Sequence, residues 1–178
     1  MAKPTDHAEE HLKLVIRFAV SPPRVVWRYV KQTPTTELQG LTDSNWAGCP
    51  VTRKSTTCSH LQIGGHPIYS GVSTQTILGL SSGESEFYGA VRIACRTIGL
   101  ASSALEKGWK MTPTLVTDSS AAKGMASRRG AGQVRHIHCP ALWLQQVISR
   151  RRLTIKKRAG AALSPDIGTK AGVPAPQM

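Results

Sequence analysis

Hydrophobic and polar residues alternate along this chain with two different periods, which predict helices in some segments and strands in others. The strongest helical pattern runs from Ser81 to Gly108, where Ser81-Ser82-Gly83-Glu84 forms a capping box and Gly108 is a suitable stop. One helical face of this segment carries Phe87, Ala90, Val91, Ala94, Ile98, Ala101 and Leu105. A shorter helix is predicted at residues 9–20, stopped by Ser21-Pro22-Pro23, with a strand candidate after it at residues 25–30.

Short runs of alternating or β-branched residues predict the strands of a sheet. They lie at residues 38–43, at 59–63, from 67–69 onward, at 114–116 and at 153–156, with a hairpin turn at Gly64-Gly65. The remaining expected elements are a short helix after Asp118-Ser119-Ser120, a loop over residues 128–135, a helix that begins at Pro140 and has Arg150-Arg151-Arg152 in its last turn, and a final helix from Ser164. This order favours an α/β domain with a mixed sheet.

Length and charge narrow the class of protein. A chain of 178 residues suits one domain with a single core, and the residues before Leu38 are expected to form an appendage. The formal charge of +13 and the pI near 10.2 favour a polyanionic partner. Nucleic acid is favoured over a membrane, because no basic stripe is backed by a long apolar face.

The cysteines and the N-terminus bear on the compartment. Cys49, Cys58, Cys95 and Cys139 lie far apart and lack the spacing of zinc ligands, so they are expected to be reduced. The first residues lack an apolar signal core, and no window is long enough to span a membrane. An intracellular protein, cytoplasmic or nuclear, is therefore expected.

Acidic residues are scarce in the second part of the chain, and four of them occupy particular places. From Lys107 onward, two acids stand against thirteen Lys and Arg residues, a net charge of +11. Four carboxylates fall at an element boundary or in a helix's first turn: Asp43, Glu86, Asp118 and Asp166. Such points can meet at one edge of an α/β sheet. They predict a site for two hard divalent ions, Mg²⁺ or Mn²⁺, and hydrolysis of a phosphodiester.

Each of these acids also has a purely structural interpretation. A lone Asp at a helix start is more often a cap than a metal ligand, so both roles stay open for Asp118 and Asp166. Glu84 serves the capping box, and it points about 200° away from Glu86 around the helix. Because only one of the two can face the site, the box is expected to take Glu84 and to leave Glu86 free.

Basic and aromatic residues are candidates for contact with nucleic acid. The expected phosphate contacts are Arg53, Lys54, Arg128, Arg129 and Arg135, with residues 150–152 and 156–158 as further candidates. Such contacts provide salt-dependent affinity without reading the base sequence. Trp46 and Trp143 are expected in the core, with stacking on sugars or bases as the alternative.

Several short blocks share their order and spacing with a known family. They are Leu41-Thr42-Asp43-Ser44-Asn45-Trp46-Ala47-Gly48-Cys49, Arg53-Lys54-Ser55-Thr56, Ser81-Ser82-Gly83-Glu84-Ser85-Glu86-Phe87-Tyr88, Thr117-Asp118-Ser119-Ser120-Ala121-Ala122, Arg135-His136-Ile137, Leu142-Trp143-Leu144-Gln145 and Pro165-Asp166-Ile167-Gly168-Thr169-Lys170. In this arrangement the chain resembles the C-terminal ribonuclease H region of copia-type retrotransposon polyproteins, over about residues 9–172. Any one block recurs by chance, whereas the blocks in register make the resemblance specific.

The resemblance implies a fold, an activity and a division of the chain. The fold would be ribonuclease H-like, a five-stranded mixed sheet flanked by helices, and the activity would be cleavage of the RNA strand of RNA–DNA hybrids. Asp43, Glu86, Asp118 and Asp166 would be the four metal-binding catalytic acids. Residues 1–37 would be a remnant of the region that joins polymerase and nuclease, 38–172 the nuclease and 173–178 a tail. A reverse transcriptase polymerase domain is then a second expected partner, beside the hybrid.

Departures from the family pattern keep two further interpretations open. Asn45 stands where many relatives carry a second Asp, and His138 stands where an acidic residue is common. Residues 159–165 contain no histidine of the kind that some ribonucleases H use near product release. The main alternative is an inactive retroelement relic that only binds nucleic acid. A nuclease that cuts DNA is disfavoured, because the blocks match the ribonuclease branch.

Overall fold

The computed structural model describes residues 5–20, 26 and 28–160. The chain divides into two compact units, residues 1–31 and residues 32–178. The first unit contains helix α1, Asp6–Val20, which confirms the predicted helix. The strand expected at residues 25–30 was wrong for residues 26 and 28–30, which form no strand, while residues 25 and 27 lie outside the described residues. None of the helices described has the length and apolar composition to cross a bilayer.

A five-stranded mixed sheet forms the centre of the second unit and confirms the predicted fold class. Its strands are β1 Glu37–Asn45, β2 Thr56–Ile63, β3 His66–Thr74, β4 Thr112–Thr117 and β5 Thr154–Lys157. They lie in the order β3-β2-β1-β4-β5, in which β1 pairs antiparallel with β2 and parallel with β4. The switch from antiparallel to parallel pairing at β1 allows the ends of β1 and β4 to meet at one edge of the sheet.

Helix α2, Ser82–Glu106, packs on this sheet and ends close to its predicted bounds. The close approach of α2 to β1 at two places depends on glycines, which have no side chain. A Cβ atom at Gly40 would collide with Thr97 Oγ1, and one at Gly89 would lie 2.6 Å from Ser44 Oγ. The fully buried side chains of the main core include Phe87, Ile93, Leu115 and Leu144. Packing of this core fixes where the first turn of α2 lies over the sheet.

Two shorter helices complete the described fold. Helix α3, Ser120–Ser127, follows β4, and helix α4, Trp143–Ser149, follows a 3-10 turn at Cys139–Leu142. The expected place of Arg150-Arg151-Arg152 in the last helical turn was wrong, because α4 ends before them. The backbone turns at Arg151, whose φ is +56°, and this turn brings Leu153 into the core. Residues 128–135 have no regular structure, as predicted, and the helix expected from Ser164 lies outside the described residues.

Candidate metal centre

Three of the four predicted acids meet at the edge of the sheet. Strands β1 and β4 are parallel with Leu41 opposite Val116, so Asp43 and Asp118 lie side by side two residues further along. Glu86 reaches the same place from the first turns of α2. Carboxylate oxygens of Asp43, Glu86 and Asp118 all lie within 4.8 Å of one another. The fourth predicted acid, Asp166, lies outside the described residues.

Glu86 is held in place by the backbone of β1. Its Oε1 accepts a hydrogen bond from the Ser44 amide at 2.9 Å, and the residue is only 8% exposed. Its other oxygen, Oε2, is buried and has no hydrogen-bond partner within the described protein. A buried carboxylate oxygen without a partner is costly for a folded protein. Glu86 Oε2 is therefore available as a ligand atom for a cation.

The electrostatics of the cluster also favour the binding of a cation. The pKa of Glu86 is raised to about 8, chiefly by burial and in addition by the nearby charges of Asp43 and Asp118, while the hydrogen bond from Ser44 opposes the rise. Without a cation, Glu86 therefore holds a proton at neutral pH. Carboxylates this close repel one another unless one is protonated or a cation lies between them.

The structure shows that Glu84 takes part in a helix cap and that Asp118 does not. Ser119, not Asp118, caps helix α3, since its Oγ accepts a hydrogen bond from the Ala122 amide at 3.1 Å. Asp118 is therefore not needed as a cap and is available to the cluster. Glu84 forms the predicted capping box with Ser81, whose Oγ lies 3.3 Å from the Glu84 amide and 3.1 Å from Glu84 Oε1. That arrangement leaves Glu86 facing the sheet, as the pattern predicted.

Gly160 lies against Asp118 and was not predicted as a site residue from the sequence. A Cβ atom at Gly160 would lie 2.7 Å from Asp118 Oδ2, so a larger residue there would require the carboxylate to shift. The amide of Arg158 donates to the Thr117 carbonyl at 3.0 Å and thereby holds the segment beside β4. A glycine in an irregular segment is common, and the sequence carries no signal that distinguishes this one.

The five predicted phosphate contacts differ in how free their side chains are. Arg53, Arg129 and Arg135 are exposed, and Lys54 is half-buried. Arg128 is committed to its own loop, where its Nη2 donates to the Ala131 carbonyl at 2.6 Å. Its Nε is buried without a hydrogen-bond partner in the described chain. Arg128 therefore shapes the loop, whereas its neighbour Arg129 faces solvent.

Trp46 is a surface residue, and the prediction that it lies in the core was wrong. Trp46 follows Asp43 by three residues in the chain and is 50% exposed. The indole N–H donates to the Gly79 carbonyl at 2.9 Å. This bond holds the indole group at the protein surface. Trp143, in contrast, packs partly buried against the core, as predicted.

Comparisons with known proteins support the fold. No protein-family model matches the sequence, and no curated protein matches it either. The structure resembles LC11-RNase H1, isolated from compost, in complex with an RNA/DNA hybrid, with a TM-score of 0.51 and 11% identity over 74% of this chain and 92% of that one. It also resembles the N-terminal RNase H domain of a Mycobacterium tuberculosis protein, with a TM-score of 0.50 and 12% identity over 73% and 87% of the two chains. At these identities, the likeness shows a ribonuclease H fold and no more.

Proposed function

We propose that this protein is a divalent-cation-dependent ribonuclease H that cleaves the RNA strand of RNA–DNA hybrids. The observation that carries the proposal is the meeting of Asp43, Glu86 and Asp118 at the sheet edge, with their oxygens within 4.8 Å of one another. The ribonuclease H fold supports the same activity, and one protein of similar structure was solved in complex with an RNA/DNA hybrid. Asp166 is proposed as the fourth acid of this site, on the strength of its sequence block.

The residues present fit hard divalent cations. All three clustered ligands are carboxylates, and Mg²⁺ and Mn²⁺ bind through such oxygens. The buried Oε2 of Glu86, which lacks a partner among the described residues, supplies an acceptor that a cation would satisfy. Two ions bound by Asp43, Glu86, Asp118 and Asp166 would activate a water molecule and stabilise the leaving oxygen of a phosphodiester.

The protein's own residues prepare the site for such ions. The Ser44 amide fixes the direction of the Glu86 carboxylate, and Glu86 would be deprotonated on binding a cation. The parallel pairing of β1 and β4 sets the spacing of Asp43 and Asp118. Ligands on strands and on a packed helix are held more precisely than ligands on loops, which in-line displacement at phosphorus demands.

Electrostatic attraction would bring the hybrid to this acidic centre. The stretch from Lys107 onward, which contains Asp118 and Asp166, carries a net charge of +11. Arg53, Lys54, Arg129 and Arg135 are the proposed phosphate contacts, and Arg128 supports them by shaping its loop. A protein of this kind distinguishes a hybrid from duplex DNA by groove shape and 2′-hydroxyl groups.

The proposed origin is a copia-type retrotransposon polyprotein, supported by the order and spacing of the sequence blocks. In that setting residues 1–37 are a remnant of the connecting region, residues 38–172 the nuclease and residues 173–178 a tail. A reverse transcriptase polymerase domain would then cooperate with the nuclease in the same polyprotein.

Cleavage of a labelled hybrid tests the proposal. The purified protein with Mg²⁺ is expected to cut the RNA strand of an internally labelled RNA–DNA hybrid and to leave the DNA strand intact. The Asp43→Asn variant is expected to bind the hybrid and to lose cleavage. Salt-sensitive binding without cleavage by the unaltered protein would instead establish the inactive relic.

A further inference from the structure

Glu84 accepts a hydrogen bond from a residue far away in the chain. His136 Nε2 lies 3.0 Å from Glu84 Oε2, across 52 residues of sequence. The Glu84 side chain is 4% exposed, while that of His136 is 49% exposed. A carboxylate oxygen accepts hydrogen bonds, so the imidazole nitrogen is the donor in this contact.

The contact with His136 is not required for the start of helix α2. The Leu80 amide donates to Glu84 Oε2 at 3.0 Å, and Ser81 Oγ donates to Oε1 at 3.1 Å. Both carboxylate oxygens thus have partners within the capping segment. His136 adds a hydrogen bond between the first turn of α2, two residues before Glu86, and the basic loop, defined as residues 128–135.

The two ends of the basic loop are attached to the fold independently of this hydrogen bond. At one end, Gln145 Oε1 accepts from the Gly130 amide, and Gln145 Nε2 donates to the carbonyls of Gly130 and Met125. At the other end, Ile137 is buried in the core, and the His138 amide donates to the Tyr88 hydroxyl at 3.3 Å. The loop can therefore fold without the His136 side chain.

We propose that His136 is a positioning residue, which fixes the end of the basic loop on Glu84 so that Arg135 presents its guanidinium to the phosphate backbone of the bound nucleic acid. Arg135 is exposed and immediately precedes His136. Because Glu84 lies only two residues from Glu86, the contact sets the position of a cationic residue relative to the N-terminal part of α2, which supplies Glu86 to the acidic centre. The inference rests on the proposed function for the identity of the polyanion, but not on hydrolysis.

Hybrid binding without cleavage tests this inference. In an Asp43→Asn background, the affinity for a fluorescently labelled RNA–DNA hybrid is measured by anisotropy at several salt concentrations with Ca²⁺ present. His136→Ala is expected to weaken binding roughly three- to tenfold, as for the loss of one charge-assisted contact. It should also lower the slope of log affinity against log salt by about 0.7 to 0.9, the share of one phosphate.

Matched variants separate positioning from a general structural role. Arg135→Ala should lower the hybrid affinity as much as His136→Ala does. The double variant should lose no more affinity than either single variant, because both substitutions remove the same phosphate contact, that of Arg135. His136→Gln, which retains a donor within reach of Glu84, should bind within about twofold of the parent. His138→Ala is the control, because its contact to Tyr88 comes from the backbone and its side chain is exposed.

Several outcomes would overturn the inference. An unchanged affinity and salt slope for His136→Ala, additive losses in the double variant, or no hybrid binding by the parent would each do so. Cleavage by the unaltered protein is assayed separately. If His136→Ala weakens binding while the unaltered protein cuts nothing, the positioning role stands and the proposed hydrolysis fails.

Discussion

Gly160 lies directly against the carboxylate of Asp118. A Cβ atom at residue 160 would stand 2.7 Å from Asp118 Oδ2, a separation at which the carboxylate would have to move. The chain after β5 therefore passes close to one acid of the carboxylate cluster, and glycine, the smallest residue, stands at that point. The backbone at Gly160 thereby limits the positions that the Asp118 carboxylate can adopt.

Gly160→Ala is expected to displace the Asp118 carboxylate and to lower the rate of hybrid cleavage roughly 10- to 100-fold, as small misplacements of catalytic groups do. The same variant should reduce the rise in melting temperature that Mn²⁺ produces, because a ligand has moved. Gly99→Ala is the matched control, since a Cβ atom there meets nothing within 4 Å. Equal cleavage rates for the two variants would show that the Asp118 position is not critical.

Glu86→Gln is expected to change how stability depends on pH. Folding raises the pKa of Glu86 from 4.5 to about 8, so between these values the native state binds more protons than the unfolded state. The free energy of unfolding of the metal-free protein must then fall as pH rises through this window. Glutamine at position 86 removes this penalty, which is on the order of a few kcal/mol above pH 8.

Urea unfolding in EDTA from pH 4.5 to pH 9 measures this effect. The two proteins should have similar stability at the acidic end, with the Glu86→Gln variant more stable at the alkaline end. Added Mg²⁺ or Mn²⁺ should stabilise the unaltered protein and have little effect on the variant. Stability curves that run parallel over the whole range would contradict the raised pKa.

Asp166→Asn is expected to abolish hybrid cleavage if Asp166 completes the acidic centre. The loss should be about 100-fold or more in single-turnover cleavage with Mg²⁺, as for other groups that stabilise charge in the transition state. Circular dichroism should show an unchanged fold. Glu106→Gln, at the exposed end of α2, is the control for the loss of one negative charge. A variant at position 166 that cuts like the control would remove Asp166 from the site.

Arg128 and Arg129 are adjacent but should behave differently when each is replaced by alanine. Arg128→Ala removes the hydrogen bond to the Ala131 carbonyl and should lower the free energy of unfolding by about 1 to 2 kcal/mol. Arg129→Ala should leave the unfolding free energy within about 0.5 kcal/mol, since its side chain is exposed. The Arg129 variant should instead lower the salt slope of hybrid binding by about 0.7 to 0.9. Thermal unfolding measures the stability of each variant, and anisotropy measures its hybrid binding. A loss of stability for Arg129→Ala and a loss of salt slope for Arg128→Ala would show that the two roles are reversed.

Local patterns were sufficient to predict most elements of the fold. The capping box at Ser81 and the helical face that contains Phe87 predicted α2 almost to its ends, because these signals act within a few residues. The α/β order predicted a mixed sheet, and parallel pairing of β1 with β4 is what brings Asp43 beside Asp118. The proximity of two acids that lie at the ends of neighbouring parallel strands can thus be predicted from the sequence.

The misassigned residues depend on contacts that no local pattern encodes. Trp46 is apolar enough for a core, yet its bond to the Gly79 carbonyl keeps it half exposed. The three arginines at 150–152 would suit a helix end, but the left-handed turn at Arg151 ends α4 earlier. In both cases a long-range or conformational requirement prevailed over local preference.

The sequence by itself determined which residues are acidic and at which element ends they lie, because helix and strand periods and helix caps are local properties. Only the tertiary structure decided that Glu86 is buried beside Asp43 and Asp118, that its pKa rises to about 8, and that Gly160 closes in on Asp118. Burial, electrostatic repulsion and steric fit depend on distances between residues far apart in the chain, and those distances exist only after the sheet and α2 have packed together.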